Sequence, residues 1–430
     1  MISAAPTLRA VLLAGAGLPV AVALAALRPE LWLVGVLWPL IVCVATIVDA
    51  VASSINIRPR IVSIPTLALE VGRPGAFEPT LTEVPRGLEA QLETSEWLDA
   101  ERESQLGESP IFRLRARRRG TRTIEALHLR WRGPMGLAAQ VRRLKLDLDV
   151  PVTVDLGTVR EEALSLAIEG LIGESVRDRR GAGSEFDALR TFTVGMDRRS
   201  IDWKHSARHS ELLAREMRDE QNQTVAVVID SGRTMTEPVA EGGLSRLDHG
   251  VTSALLTAFV ALKRGDGTAL FGIDSHPRVK TGVLSGSRSF PAITAAAADI
   301  DYSSVETNFT LGLSNVAASL KRRSLVIVFT EIVDPTSAEL MVESTARLLK
   351  GHLVLFVVFR DGALEAAVEK EPVEPEDISR AVIAGSLLRT RREVFAKLRH
   401  LGVDVLEVWP EESPQRVVRR YLDIKKGGLL

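Results

Sequence analysis

One cysteine occurs in the 430 residues, Cys43, and it lies inside an apolar run. A single thiol excludes an internal disulfide framework and any cysteine-rich zinc site. Net charge is nearly absent as well: the formal value is −1, so no global field steers the chain toward nucleic acid or anionic lipid. Catalytic signatures are also missing. There is no Gly-x-x-x-x-Gly-Lys-Ser/Thr phosphate loop and no His-Glu-x-x-His, Cys-x-x-Cys or Gly-x-Ser-x-Gly sequence. His205 and His209 stand four apart, but without a third ligand at recognisable spacing they read as ordinary polar residues. No enzyme activity is expected on this ground. What remains is a chain that is 46% hydrophobic and 25% charged, globular in composition and long enough for about two or three domains.

Two apolar runs open the chain. No residue from Ala10 to Leu27 is charged, and none from Leu31 to Val48. Each is near the lower limit of the roughly 17–25 residues that cross a hydrocarbon core. Arg28-Pro29-Glu30 supplies a polar turn between them, and Trp32 and Trp38 suit an interface. The expectation is a two-span transmembrane hairpin over 8–50. A cleaved signal peptide would explain the first run but not the second. Arg9, Arg58 and Arg60 flank the open end against Arg28 alone in the turn. The positive-inside bias then implies a multi-pass protein of the cell membrane with both termini and the soluble domains cytoplasmic.

Over 58–157 the apolar period becomes two. Leu127, Leu129 and Trp131 alternate with His128, Arg130 and Arg132, and Leu144, Leu146, Leu148 and Val150 alternate with Lys145, Asp147 and Asp149. That pattern, broken by Gly72-Arg73-Pro74-Gly75 and Gly133-Pro134, predicts a small antiparallel β domain of sandwich type. The arginines Arg113, Arg115, Arg117, Arg118, Arg119 and Arg122 read either as headgroup contacts or as the wet face of a strand. A linker helix from about Val159 to Gly170 leads into the 158–223 segment.

From 224 to 430 strands and helices alternate, which predicts a doubly wound, Rossmann-type α/β domain. Thr224–Asp230, Thr268–Ile273, Ser324–Thr330, Leu353–Phe359 and Val403–Val408 are the expected strands. Ligands of such sheets gather at the carboxyl ends of strands. There stand Asp230, then Ser231-Gly232-Arg233-Thr234, then Thr330-Glu331, with Glu306-Thr307-Asn308 in a loop between. Oxygen donors from separated loops suit a hard cation such as Mg²⁺.

Asp230 to Thr234, Thr307 and Glu331 together resemble the metal-ion-dependent adhesion site of von Willebrand factor type A domains. The resemblance implies Asp230, Thr234, Thr307 and Glu331 as a degenerate metal site. Gly232 departs from it by removing a serine oxygen, and Glu331 by standing in place of an aspartate. A second resemblance rests on Gly183-Ser184-Glu185-Phe186, Leu189-Arg190 and Asp197-Arg198-Arg199-Ser200-Ile201-Asp202-Trp203-Lys204-His205-Ser206-Ala207-Arg208. This stretch is similar to the signature of the domain of unknown function 58 family, with Met196 interrupting its common Gly-Asp pair. The resemblance extends to the whole architecture and implies a membrane-anchored protein and a partner, a MoxR-type AAA ATPase.

From chemistry alone, Glu185, Phe186, Arg190, Arg199, Asp202, Trp203 and Arg208 read in two ways. One is a buried charge network bracing Trp203. The other is a docking surface with Trp203 and the arginines as hot spots. The functional expectation is a membrane-tethered protein-binding scaffold, with the lipid bilayer and a protein as partners and no nucleic acid. The alternatives are a metal-assisted hydrolase using Asp230, Glu331 and His205, and a structural part of a cell-envelope assembly.

Overall fold

The computed structural model describes residues 1–430 except 1, 28–31, 57–58, 86, 104–108, 170–184, 194–195, 210, 219–222, 240–242, 333–334 and 428–430. The expected polar turn at Arg28-Pro29-Glu30 and the opening Gly183-Ser184 of the signature lie outside the described residues. The chain forms two compact units, Met1–Thr153 and Val154–Leu430.

In the first unit the apolar runs form helices Leu8–Leu27 and Trp32–Asn56. They pack on each other at Gly17, where an added Cβ would stand 1.9 Å from Trp38 Cδ1. The Trp38 indole donates to the Leu13 carbonyl at 2.8 Å, as small residues and a polar contact permit between apolar helices. Among the described residues, one stretch is long and apolar enough to cross a membrane, Gly35–Ile55. The apolar stretch of the first helix, Leu8–Ala23, is shorter. Of the two expected spans, length and composition thus support the second.

The sequence reading missed a strand, Ile2–Pro6, that precedes the first helix and pairs antiparallel with Ala138–Thr153. A single turn between Gly133 and Ala138 ties down both helices. The Thr7 hydroxyl donates to the Gly136 carbonyl at 2.8 Å, just before the first helix. Near the end of the second helix, the buried Asp49 carboxylate accepts from the backbone N–H groups of Met135, Leu137 and Ala138 at 2.7, 2.8 and 2.9 Å. Gln140 Nε2 adds bonds to the Ala50 carbonyl and to Ser53 Oγ at 2.7 and 3.0 Å. Loss of the Asp49 acceptor would strand three donors, each costing about 1–3 kcal/mol when buried.

The β segment makes three sheets rather than one antiparallel sandwich. The largest runs Ile2–Pro6, Ala138–Thr153, Gly120–Arg132, Glu89–Thr94, with the two-residue strand Leu69–Glu70 joined parallel to Ala138–Thr153. Pro74–Phe77, Phe112–Ala116 and Leu98–Arg102 form the second, and Arg60–Ser63 with Thr80–Thr82 the third. The period of two holds where it is clearest: Leu127, Leu129 and Trp131 are buried. The dense arginines have local partners. Arg113 and Arg117 pair with Glu103 and Asp99 at 2.5 Å, and Arg118 lies 3.9 Å over the Trp97 ring. These contacts match the wet-strand reading.

In the second unit a six-stranded sheet runs Pro277–Lys280, Gly267–Ile273, Thr224–Asp230, Ser324–Phe329, Leu353–Phe359, Asp404–Val408. All neighbours are parallel except Pro277–Lys280, a short antiparallel edge that the sequence reading did not anticipate. The order reverses between Thr224–Asp230 and Ser324–Phe329, the switch point where such sheets open a crevice. Both faces are covered. Val225, Val227 and Ile229 enter one core with Arg246–Lys263 and Ser413–Lys426, while Ala226 and Val228 enter the other with Phe309–Ser319, Pro335–Leu348 and Pro375–His400. The linker helix spans Leu156–Ile168 and belongs to this unit, where Val159, Ala163 and Leu166 join the first core.

Candidate functional site

The crevice at the switch point is lined by Asp230, Arg233, Thr234, Glu306, Thr307 and Glu331, among others. Asp230 ends its strand and is fully buried. Its Oδ1 accepts from the Gly232 N–H at 2.8 Å and from the Thr307 hydroxyl, and its Oδ2 accepts from the Thr330 hydroxyl at 2.7 Å. Burial pushes its pKa up, and the three donors pull it back. Thr234 lines the crevice, and Asn308 caps the helix Phe309–Ser319 by accepting from the Leu311 N–H at 3.0 Å. At the exposed rim Arg233 grips Glu306 through Nη2 at 2.6 Å and Nε at 3.0 Å.

Glu331 is held differently. Its Oε1 accepts from the Ile332 N–H at 3.0 Å and lies 3.3 Å from Arg391 Nη1. Its Oε2 lies 3.4 Å from Arg246 Nε. Arg246 also reaches the Asp361 carboxylate at 2.6 Å, and Arg391 donates to the Phe359 carbonyl. Arg246, Arg391 and Glu331 are all buried. Burial raises the Glu331 pKa, against which Arg391 and then Arg246 act. Neither arginine was signalled by the sequence, because residues 246, 331, 361 and 391 meet only through the sheet.

A divalent ion does not fit this arrangement. Both Asp230 oxygens are committed to donors, and Glu331 faces two guanidinium groups. A Cβ on Gly232, where the adhesion pattern has serine, would stand 2.1 Å from Thr307 Oγ1. Among the described residues no three His, Cys, Asp or Glu side chains gather as a cation site. Of the residues expected to hold a metal, Asp230 and Thr307 are hydrogen-bonded to each other, Glu331 faces Arg246 and Arg391, and Thr234 lines the crevice.

The signature builds a second polar centre. Glu185–Thr191 and Leu213–Arg218 form an antiparallel hairpin, with Glu185 opposite Arg218 and Phe186 opposite Met217; the side chains of Glu185 and Phe186 lie outside the described groups. Between the strands, Asp197 and Asp202 begin two short helical turns, Arg198–Ser200 and Trp203–Ser206. Asp202 is 4% exposed and is the hub. Its carboxylate accepts from the His205 N–H at 3.0 Å and from Arg215 Nε at 2.9 Å, and His205 Nδ1 lies 3.1 Å away. The His205 backbone bond, then the His205 and Arg215 side chains, hold its pKa below the usual carboxylate range against burial. His205 is thus engaged with Asp202 rather than serving Asp230 and Glu331.

Trp203 is 68% exposed, which reverses the idea of a network braced around it. Arg190, Arg199 and Arg208 are exposed too. Arg215, the partner of Asp202, was missed; it sits seven residues beyond the signature, on the opposite strand.

Residues 188–380 match the family model described as Protein of unknown function DUF58. The resemblance read from the signature is shown over that stretch rather than over the whole architecture. A comparison with curated proteins finds no match. Sixty-six solved chains match. The SpRpn10 VWA domain is 12% identical, over 44% of this chain and 89% of that one, with a TM-score of 0.27. An aerotolerance-related membrane protein from Bacteroides fragilis NCTC 9343 is 11% identical over 47% and 99%, at 0.28. The proximal thread matrix protein 1 of the mussel byssus, with a zinc-occupied MIDAS motif, is 10% identical over 47% and 45%, at 0.27.

Proposed function

We propose that this chain is a membrane-tethered protein-binding scaffold whose α/β unit docks a partner through the signature hairpin. The observation that carries the reading is Trp203, two-thirds exposed on a turn whose neighbour Asp202 is fixed by His205 and Arg215. A large aromatic shown to solvent on a rigid support, with arginines around it, is the usual composition of an interface hot spot. Leaving it bare costs the free protein apolar exposure, which a partner would remove. The crevice at Asp230 supports the same reading from the other side. Both Asp230 oxygens accept from internal donors and Glu331 faces two arginines, and we read the chain as a non-enzyme.

The tether follows from the first unit. The start of the first apolar helix and the end of the second are both bonded to the turn Gly133–Ala138. This supports two spans that enter and leave on one side, with Arg9, Arg58 and Arg60 favouring the cytoplasm for both ends. A MoxR-type AAA ATPase is the partner that the family resemblance implies.

The test uses full-length chain in lipid nanodiscs and a purified MoxR-type ATPase of the same organism, with binding read by interferometry. Trp203→Ala is expected to weaken capture by at least tenfold, the scale of an aromatic hot spot. Undiminished capture by Trp203→Ala would remove the hairpin from the interface.

A further inference from the structure

We infer that Arg246 and Arg391 supply, as covalently fixed charges, the positive charge that a divalent ion supplies in an adhesion-type site. The strand-end crevice is on this view a metal-independent ionic lock. The inference concerns the strand-end crevice alone, so it stands or falls separately from docking at Trp203.

Three observations converge. The first is charge closure. Glu331, in the crevice wall, and Asp361 behind it bring two negative charges, and Arg246 and Arg391 bring two positive ones, linked as Arg391–Glu331–Arg246–Asp361 at 3.3, 3.4 and 2.6 Å. A buried ion is tolerated only when paired. Here the charges balance in number, although Glu331 Oε2 makes no hydrogen bond, and a divalent cation approaching either Glu331 oxygen would meet a guanidinium group at ion-pair distance.

The second is direction. The Asp230 carboxylate accepts from one N–H and two hydroxyls. Mg²⁺ requires oxygens presenting lone pairs in near-octahedral array at about 2.0–2.1 Å. Thr307, the threonine of the adhesion pattern, is hydrogen-bonded directly to Asp230.

The third is space. Gly232 has no side-chain oxygen, and the position of its missing Cβ is taken up by Thr307 Oγ1, 2.1 Å away. Glycine here is what lets Thr307 close on Asp230. The extra methylene of Glu331, relative to aspartate, suits its reach toward Arg246 and Arg391. The two departures from the pattern are then one adaptation: the glycine closes the ligand loop and the longer acid finds a fixed cation.

The probe is Mn²⁺, read by electron paramagnetic resonance on full-length protein in nanodiscs. The free-ion signal is expected to rise in proportion to added Mn²⁺, with no stoichiometric loss attributable to Asp230. Stoichiometric binding that Asp230→Asn abolishes would overturn the inference; binding that survives Asp230→Asn lies elsewhere and leaves the crevice metal-free. A second arm uses Glu331→Gln, which leaves Arg391 without its carboxylate partner and Arg246 with Asp361 alone. Its thermal midpoint is expected to fall by about 6 °C or more and to be unmoved by Mg²⁺ or chelator. An unchanged midpoint would show the lock to be idle and would also overturn the inference. Should the variant fail to fold, the Mn²⁺ titration of the wild-type protein decides alone.

Discussion

At Asp202 a carboxylate is kept ionised by a backbone N–H and the His205 and Arg215 side chains, beside a tryptophan left in solvent. At Asp230 and Glu331, in the same α/β unit, burial pushes carboxylates the other way, and their partners are all internal. The first centre spends its polar contacts on holding a surface in shape. The second spends them on closing a crevice. In sheets of this order the crevice is where a ligand is looked for first. Here the carboxylates of the crevice face internal donors and cations, and the proposed docking surface is a hairpin outside the sheet.

That contrast can be broken most forcefully at Arg246. Arg246→Leu leaves Asp361 without this cation and Glu331 with Arg391 alone, and should cost about 3–5 kcal/mol in urea unfolding of the α/β unit, the range for breaking a buried pair. A change below about 1 kcal/mol would make the crevice as soft as a surface site.

A smaller effect sharpens the comparison through pH. The Asp202 pKa is lowered on folding, so its contribution is present above the unfolded value of about 3.9 and is lost as pH falls through the folded value. Asp202→Asn should therefore lower stability at neutral pH and flatten its acid loss. Asp230 has the opposite sign. Its folded pKa lies above the unfolded one, so wild-type stability gains as pH falls toward the unfolded value, and Asp230→Asn should remove that gain. Parallel slopes for the two variants, measured by denaturation from about pH 7 down to about pH 2, would erase the distinction.

The smallest change in stability is expected at Trp203. Trp203→Ala should stay within about 0.5 kcal/mol of wild type, as for a surface residue without a buried partner, even though it removes the proposed interface. A much larger loss in the same denaturation assay would mean that the indole braces the hairpin.

Much of the fold could be read from the chain. The strands Thr224–Asp230, Ser324–Phe329 and Leu353–Phe359 are apolar runs of the length that a doubly covered sheet demands, and the structure places them at its centre. Pro277–Lys280 escaped because a four-residue edge beginning with proline carries no such pattern. Ile2–Pro6 escaped because its pairing is decided by the turn at Gly133–Ala138, more than a hundred residues away. The crevice was located correctly from strand ends, and Gly232 and Glu331 stood out as departures. Their meaning was hidden, since nothing near Glu331 in sequence announces Arg246 or Arg391. At the signature the aromatic and its charges were evident, but exposure separates a brace from a docking surface, and exposure depends on which residue of Asp202-Trp203 turns inward.

The central claim, that recognition sits on the hairpin and not in the crevice, is tested most directly by photo-crosslinking from one position in each. A benzophenone side chain replaces Lys204, next to Trp203, or Arg233, at the crevice rim, in full-length protein in nanodiscs with the MoxR-type ATPase present. An adduct from position 204 and none from 233 is the predicted result. An adduct from 233 and none from 204 would contradict the account.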